Sequence, residues 1–396
     1  MQSTAFAQQF RTSLIVFLVV ASLLVAGHIW QLTGSSSEEV QLVKPHLRPP
    51  PVKPAPADED TPNPLDEVGR KIAEQEQKEL EALKADLEAK GCTYLPGIED
   101  IFVVIKTGAT EAREKLPIHF DTTLKCIPHY AVFSDLSEEI NGHKVVDVLD
   151  RVSDEFKKED GPRIKEDEDP PKILTPPWRL YKEMHEYQEQ GKDITELVNT
   201  PEKVKTAWAL DKWKFLPMVS KAYWLRPTAK WFMFLEADGY VVFSNLVQLV
   251  QQLPEEKPWY LGGQSWIGGT VFAHGGGGML LSNPAMRRVS AMITSQKKEA
   301  EKMTRDEWAG DLVLAKALKT VGVEMTQSWP TFQGEKPYTL DYTDRNFCFP
   351  VVSYHHLDAE WIKFLYDFEQ DWIKEQVSTP AYSDLINLLT LSRPTS

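Results

Sequence analysis

Three cysteines, no Asn-x-Ser/Thr acceptor triplet, no excess of basic residues, and no Asp, Glu, Lys or Arg between Arg11 and Glu38 are the first absences in this 396-residue sequence. Three cysteines allow one intrachain bridge and leave one thiol over. Cys92 and Cys126 bracket the first strand and its loop, so these two are expected to pair and Cys348 to stay single. Without an acceptor triplet, N-glycosylation gives no support to a luminal location. The formal net charge of -14 argues against a groove for nucleic acid. It leaves a nucleotide open, because a bound metal ion reverses the local field.

The charge-free stretch has a second meaning. Leu14 to Ile29 is almost wholly apolar and close to the length that a bilayer core requires. The run continues to Ile29-Trp30 without a small-x-small cleavage site, which favours an uncleaved anchor over a removed signal. Arg11 precedes it and acids follow. The positive-inside rule then expects a cytoplasmic tail at 1–11, a transmembrane anchor at 12–32 and the rest in the lumen. Residues 33–90 form a stem: prolines and acids to about residue 64, then Val68, Ile72, Leu80, Leu83 and Leu87 at roughly helical spacing among Glu and Lys. A solvated stalk helix over 65–90 is the plain reading, and a coiled-coil homodimer the sharper one. The globular domain is expected at 91–396.

That domain is organised around Trp231 to Leu235, an unbroken apolar run of strand length followed at once by Glu236 and Asp238. In an open parallel sheet the ligand crevice lies beyond the carboxyl ends of the strands. Residues two apart on extended chain point the same way, so Glu236 and Asp238 are placed to share one cation. Ser244 reads as the cap of a short helix over 245–252. A second strand at 259–261 runs into Gly262, and Phe272-Ala273-His274 leads into four glycines, Gly275 to Gly278. A turn seldom needs so many, which points to a ligand lying against bare backbone.

Other segments fit the same plan. Ile98 to Ile105 reads as a first strand entering Lys106-Thr107-Gly108, and Tyr130 to Phe133 as a second ending at Ser134-Asp135. Residues 154–177 are acidic and proline-bearing, an exposed loop. Val204, Trp208, Leu210, Trp213, Leu216 and Val219 recur at helical spacing and read as core. Helices follow over 282–294 and over 312–320, the latter ending at Gly322 as a C-cap. Asp311 stands at the head of that helix, where a capping role is natural. His355-His356 after a late strand offers imidazole to complement carboxylate around a metal.

The order W-F-x-F-x-E-A-D-x-Y, N-L, Y-L-G, F-A-H-G-G-x-G and L-S, followed by Y-H-H-L, resembles the fungal branch of the Fringe-like glycosyltransferases, family 31, from about Ile98 to Leu357. The resemblance implies an inverting enzyme that takes a UDP-sugar and a glycan or glycoprotein acceptor, in the Golgi membrane. It implies that Asp238, helped by Glu236 and His356, holds a divalent ion, Mn²⁺ by expectation, and that Asp311 is the base. Lys106, Thr107, Gly108, Ser134 and Asp135 would lie at the nucleotide. Trp266, His274 and Gly275, Gly276, Gly277 and Gly278 would form the sugar or acceptor pocket. The chain departs from the family at Ala237, Gly239 and Gly310, which keeps open a catalytically silent, membrane-anchored nucleotide-sugar or glycan-binding protein. Strands alternating with helices, together with the resemblance, give the expected fold: α/β, GT-A-like and Rossmann-like, with a mostly parallel sheet flanked by helices behind an N-terminal transmembrane helix and stem.

Overall fold

The computed structural model describes residues 64–158, 163–165, 172–174, 177–198, 200–340, 343 and 348–375. The expected tail, anchor and proline-rich segment lie outside the described residues. Among the described residues no helix is long and apolar enough to cross a membrane. The chain divides into two units, Met1–Glu67 and Val68–Ser396. Of the first, only the start of one helix is described. The second holds the sheet.

The stalk forms a helix, α1 (Pro64–Ala89), where helical spacing placed it. Its described side chains are mostly exposed up to Leu87, which is buried. Just beyond it, Cys92 is bonded to Cys126, closing a loop with a sequence separation of 34. Loop-closure entropy for a ring of that size contributes about 4 kcal/mol in the chain-entropy picture. Cys348 is free and exposed.

Eight strands build the central sheet: β1 (Ile101–Lys106), β2 (Tyr130–Ser134), β3 (Glu138–Ile140), β4 (His143–Asp147), β5 (Trp231–Glu236), β6 (Tyr260–Gly262), β7 (Met279–Ser282) and β8 (Thr326–Gln327). Their order is β8-β6-β7-β5-β1-β2-β4-β3. The pairs β8/β6, β5/β1, β1/β2 and β2/β4 are parallel, and β6/β7, β7/β5 and β4/β3 antiparallel. The sheet is therefore mostly parallel at its centre and mixed toward its edges.

Every residue of β1 is buried, as in a sheet covered on both faces. Its side chains still sort with period two. Phe102 and Val104, with Phe232 and Phe234 of β5, pack on α4 (Asp211–Leu225), α6 (Asn283–Ser295) and α8 (Gly310–Thr320). Ile101, Val103 and Ile105, with Trp231, Met233 and Leu235, pack on α2 (Ala112–Asp121) and α5 (Phe243–Gln251). Burying each such apolar side chain is worth roughly 1.5–3 kcal/mol, which fixes the strand against sliding by one residue. Three further helices are α3 (Pro177–Glu189), α7 (Lys297–Asp306) and α9 (Ala359–Lys374).

Several local expectations change. Residues 200–223 form two helices, Pro201–Trp208 and α4. Leu210, Trp213, Leu216 and Val219 are core as expected, but Val204 and Trp208 are exposed. Ser244 caps nothing with its side chain. Instead, buried Glu369 of α9 accepts from the Ser244 amide at 2.7 Å and from Tyr240 Oη at 2.6 Å. The acidic stretch after residue 154 holds one short helix, Asp154–Lys157, and a hairpin, Arg163–Lys165 with Lys172–Leu174. Gly322 does end α8, at φ 71°.

Candidate active site

Lys106 and Glu236 end adjacent parallel strands and are register partners. This places the Lys106 ammonium 3.0 Å from Glu236 Oε1, and Asp211 at the start of α4 lies 2.5 Å away on its other side. The Phe215 ring lies 4.7 Å from the same ammonium. Burial works against the Lys106 charge, but Asp211 and Glu236 outweigh it and raise its pKa. Burial likewise opposes ionisation of Glu236, and Lys106 and His355 overcome it, holding the carboxyl well below its usual range.

Beyond β5 the chain turns tightly, Gly239 donating its amide hydrogen to the Glu236 carbonyl at 2.9 Å. A Cβ at Gly239 would come within 2.6 Å of Leu235 Cδ1, so close packing explains the glycine there. The turn presents Asp238, whose Oδ2 lies 3.5 Å from Lys115 of α2. Immediately after it, Tyr240–Val241 pairs antiparallel with Ser353–Tyr354, and the Leu357 amide donates to the Asp238 carbonyl at 2.8 Å. That short ladder brings the two histidines to the acids. Their backbone is bent to do so, with His356 in the left-handed region at φ 58°.

Asp238, His355 and His356 each offer a ligand atom, and these atoms lie within 4.8 Å of one another. His356 joins Asp238 as expected, at 3.9 Å, and is largely exposed. Buried His355, offered by the sequence beside His356 but outside the set that the resemblance implied, is nearer, with Nε2 3.2 Å from Asp238 Oδ1. That is an ion-pair distance without hydrogen-bond alignment, and neither ring nitrogen of His355 has a hydrogen-bond partner. Orphaned buried nitrogens beside a carboxylate and a second imidazole fit a divalent ion. Burial lowers the His355 pKa, but Asp238 and Glu236 more than offset it and push it up to about 9. Glu236 is committed to Lys106, so His355 stands closer to a ligand role than Glu236 does.

The glycine run has a different cause from the one its composition suggested. A Cβ on Gly276 would lie 2.1 Å from the His355 ring, and one on Gly278, which also has φ +82°, 2.7 Å from Met233. A Cβ on Gly277 would make only ordinary contacts, at 3.4–3.5 Å, with the backbone of Gln333 and Gly334. At Gly276 the run makes room for the protein's own His355, and at Gly278 it supplies a left-handed turn. The Gly275 amide is spoken for as well: it donates to Asp311 Oδ2 at 3.1 Å, while Asp311 Oδ1 accepts from the Leu312 amide at 2.8 Å. Burial raises the Asp311 pKa against these two hydrogen bonds. Beside it, a Cβ on Gly310 would meet the Phe215 ring at 2.2 Å, so the space for a second acid is filled.

These residues share one cavity of about 540 Å³, lined by Lys106, Thr107, Asp211, Phe215, Glu236, Asp238, Trp266, His274, Gly276, Asp311, His355 and His356 among others. Lys115, Asp238 and His356 also line a second cavity of about 670 Å³. The Asp-His group is thus reachable from two sides. Gly108, Ser134 and Asp135 line neither cavity. Asp135 is fully buried, accepting from the Ala109 amide at 2.7 Å and pairing with Lys214 at 3.0 Å, so in this geometry it holds the β1 loop in place. Lys115, Asp211 and Phe215 are the site residues that no motif singled out, whereas His355 is offered together with His356 and ranked behind it.

Residues 199–361 match the family model described as Fringe-like. The chain carries a Fringe-like domain. The match begins later than the resemblance drawn from the motifs, which reached back to about Ile98. It takes in the acidic turn, the glycine run, Asp311 and both histidines of the Fringe-like domain, and it supports a glycosyltransferase. Among solved structures, one titled as the crystal structure of a glycosyltransferase involved in the glycosylation of the major capsid of PBCV-1 is similar at 13% identity. That likeness covers 67% of this chain and 98% of that chain, at a TM-score of 0.25, too low to bear on fold or reaction.

Proposed function

We propose that the protein is a metal-dependent, inverting glycosyltransferase that moves a sugar from a UDP-sugar to a glycan or glycoprotein acceptor. The observation that carries this reading is the grouping of Asp238, His355 and His356 on the cavity that Asp311 also lines. Asp238, His355 and His356 would hold a divalent ion, Mn²⁺ being the natural choice for an oxygen and imidazole set. Such an ion, when bound, offsets charge that builds on a departing diphosphate. Lys106 keeps Glu236 ionised and fixed beside the group. His355, wedged against Gly276, is held in place by packing. Asp311 takes the proton of the acceptor hydroxyl, and its raised pKa suits that task.

One observation favours a second reading. Both Asp311 oxygens already accept backbone hydrogen bonds, as they would in a silent protein that binds a nucleotide sugar without transferring it. Two measurements separate the readings: UDP affinity, and UDP release from donor plus acceptor, each with and without Mn²⁺. Transfer requires both to respond to the ion. Binding without release sustains the silent reading, and Asp238→Asn with unchanged UDP affinity removes the metal from the proposal.

We further propose a single-pass Golgi protein with this domain in the lumen, from the charge-free stretch at 12–32 and the Cys92–Cys126 bond. Protease added to intact microsomes should spare the domain; its digestion overturns the topology. Self-association through α1 belongs to the same proposal and rests on its largely exposed faces. Sedimentation with and without residues 65–90 tests it.

A further inference from the structure

Five tryptophans are exposed among the described residues, and three of them line the site cavity. Trp208 is 66% exposed, Trp266 67% and Trp308 59%. All three line the cavity that holds Asp238 and Asp311. They come from three separate pieces of chain: the end of the helix Pro201–Trp208, the hairpin strand Gln264–Ile267, and the loop between α7 and α8. Leaving one indole in water is ordinary, whereas three lining one cavity that also carries carboxylates and histidines are a surface awaiting a partner.

We infer that Trp208, Trp266 and Trp308 form the binding rim for the acceptor, and that the acceptor presents a pyranose ring. A pyranose has a face of C–H groups and a girdle of hydroxyls. Indole rings cover the first, and a floor carrying carboxylates and His274 answers the second. The chain ties two of the tryptophans to the base. Trp308 stands three residues before Asp311. Trp266 pairs with Val271 in its hairpin, which runs on through Ala273 to Gly275, the residue whose amide Asp311 holds. Both tryptophans thus sit on chain segments that lead directly to Asp311. This assignment rests on the transferase reading and adds to it the acceptor class and its contact residues.

The test uses the full chain labelled with 5-fluorotryptophan. Single Trp→Phe variants assign the three ¹⁹F resonances among those of the 12 tryptophans. The probes are methyl β-D-galactopyranoside, methyl β-D-glucopyranoside and methyl α-D-mannopyranoside, each with and without UDP and Mn²⁺. At least one glycoside should shift all three resonances. Trp308→Ala and Trp266→Ala should each weaken that glycoside about five- to tenfold, while Trp308→Phe retains most of the affinity. UDP affinity should stay unchanged in all three variants. The inference is overturned if no glycoside moves the resonances, if UDP alone moves all three, which would assign them to the donor, or if only phosphatidylcholine vesicles move them, which would assign them to a membrane surface. Glycoside shifts that persist while Mn²⁺-dependent UDP binding is absent would sink the transferase reading and leave a glycan-binding rim.

Discussion

His119 Nε2 lies 2.8 Å from the carbonyl oxygen of Ala237, the residue between Glu236 and Asp238. The ring is fully buried, and its Nδ1 lies 2.9 Å from Thr123 Oγ1. Since the carbonyl can only accept, Nε2 carries the proton and Nδ1 accepts from the threonine hydroxyl. A neutral histidine on α2 therefore fixes the acidic turn from behind.

Burial pushes the His119 pKa down to about 4. The unfolded chain binds a proton near pH 6.5 and the native one does not, so stability falls as pH drops from 6.5 and levels off below about 4. The full loss is about 3 kcal/mol, and about 2 kcal/mol is already gone at pH 5. Urea unfolding at pH 7 and pH 5 measures it. His119→Gln should reduce the difference between the two pH values by that amount; an unaltered difference refutes the assignment.

His355 predicts a different pH dependence. With its pKa pushed up to about 9, it is protonated at neutral pH, and an ion must displace that proton to bind. Mn²⁺-dependent UDP affinity should rise by about tenfold per unit between pH 7 and pH 9 and flatten beyond. Isothermal titration in buffers of different ionisation enthalpy should also show close to one proton released per ion. A flat profile with no proton release means that His355 is not a ligand.

Asp311→Asn separates chemistry from architecture. Asparagine keeps one oxygen to accept from the Gly275 amide but turns its NH2 on the Leu312 amide, so stability should drop by about 1–3 kcal/mol while the protein still folds and binds UDP, and transfer falls by roughly 10²- to 10⁴-fold. Near-normal transfer would reduce Asp311 to a structural role, with Asp306 or Glu307 as the next base to examine.

Gly276→Ala tests why the glycines are there. A methyl group 2.1 Å from the His355 ring has no room, and overpacking of this kind costs roughly 1–3 kcal/mol. Thermal unfolding should register that loss, and Mn²⁺-dependent UDP binding should weaken with it, because the displaced atoms are those of His355. In His355→Ala the same substitution should cost little stability. Full additivity of the two changes would show that the ring is not what the glycine accommodates.

Much of the site is written locally. Apolar runs long enough for buried strands announce β1 and β5, and acids after the second run announce the crevice, because the direction of a strand and the identity of the residues ending it are both local. The Cys92–Cys126 bond followed from two cysteines bracketing the first strand and its loop. Asp311 and His356 stood in motifs that a reader meets in one glance along the chain.

What the chain could not display is whatever depends on partners far away in sequence. That Glu236 is committed to Lys106 follows from the parallel register of β1 and β5, set by the packing of two sheet faces. The four glycines looked like a bed for a ligand until His355, about eighty residues on, was seen to fill the space beside Gly276. Trp208 read as core from its helical spacing, yet the helix ends at that residue and the side chain points into water. His119 had no motif at all. Periodicity and strand-end chemistry are properties of neighbouring residues, so sequence alone determined the elements and the place of the crevice. Which side chain neutralises, wedges or covers which other depends on how those elements pack, and only the tertiary structure decided it.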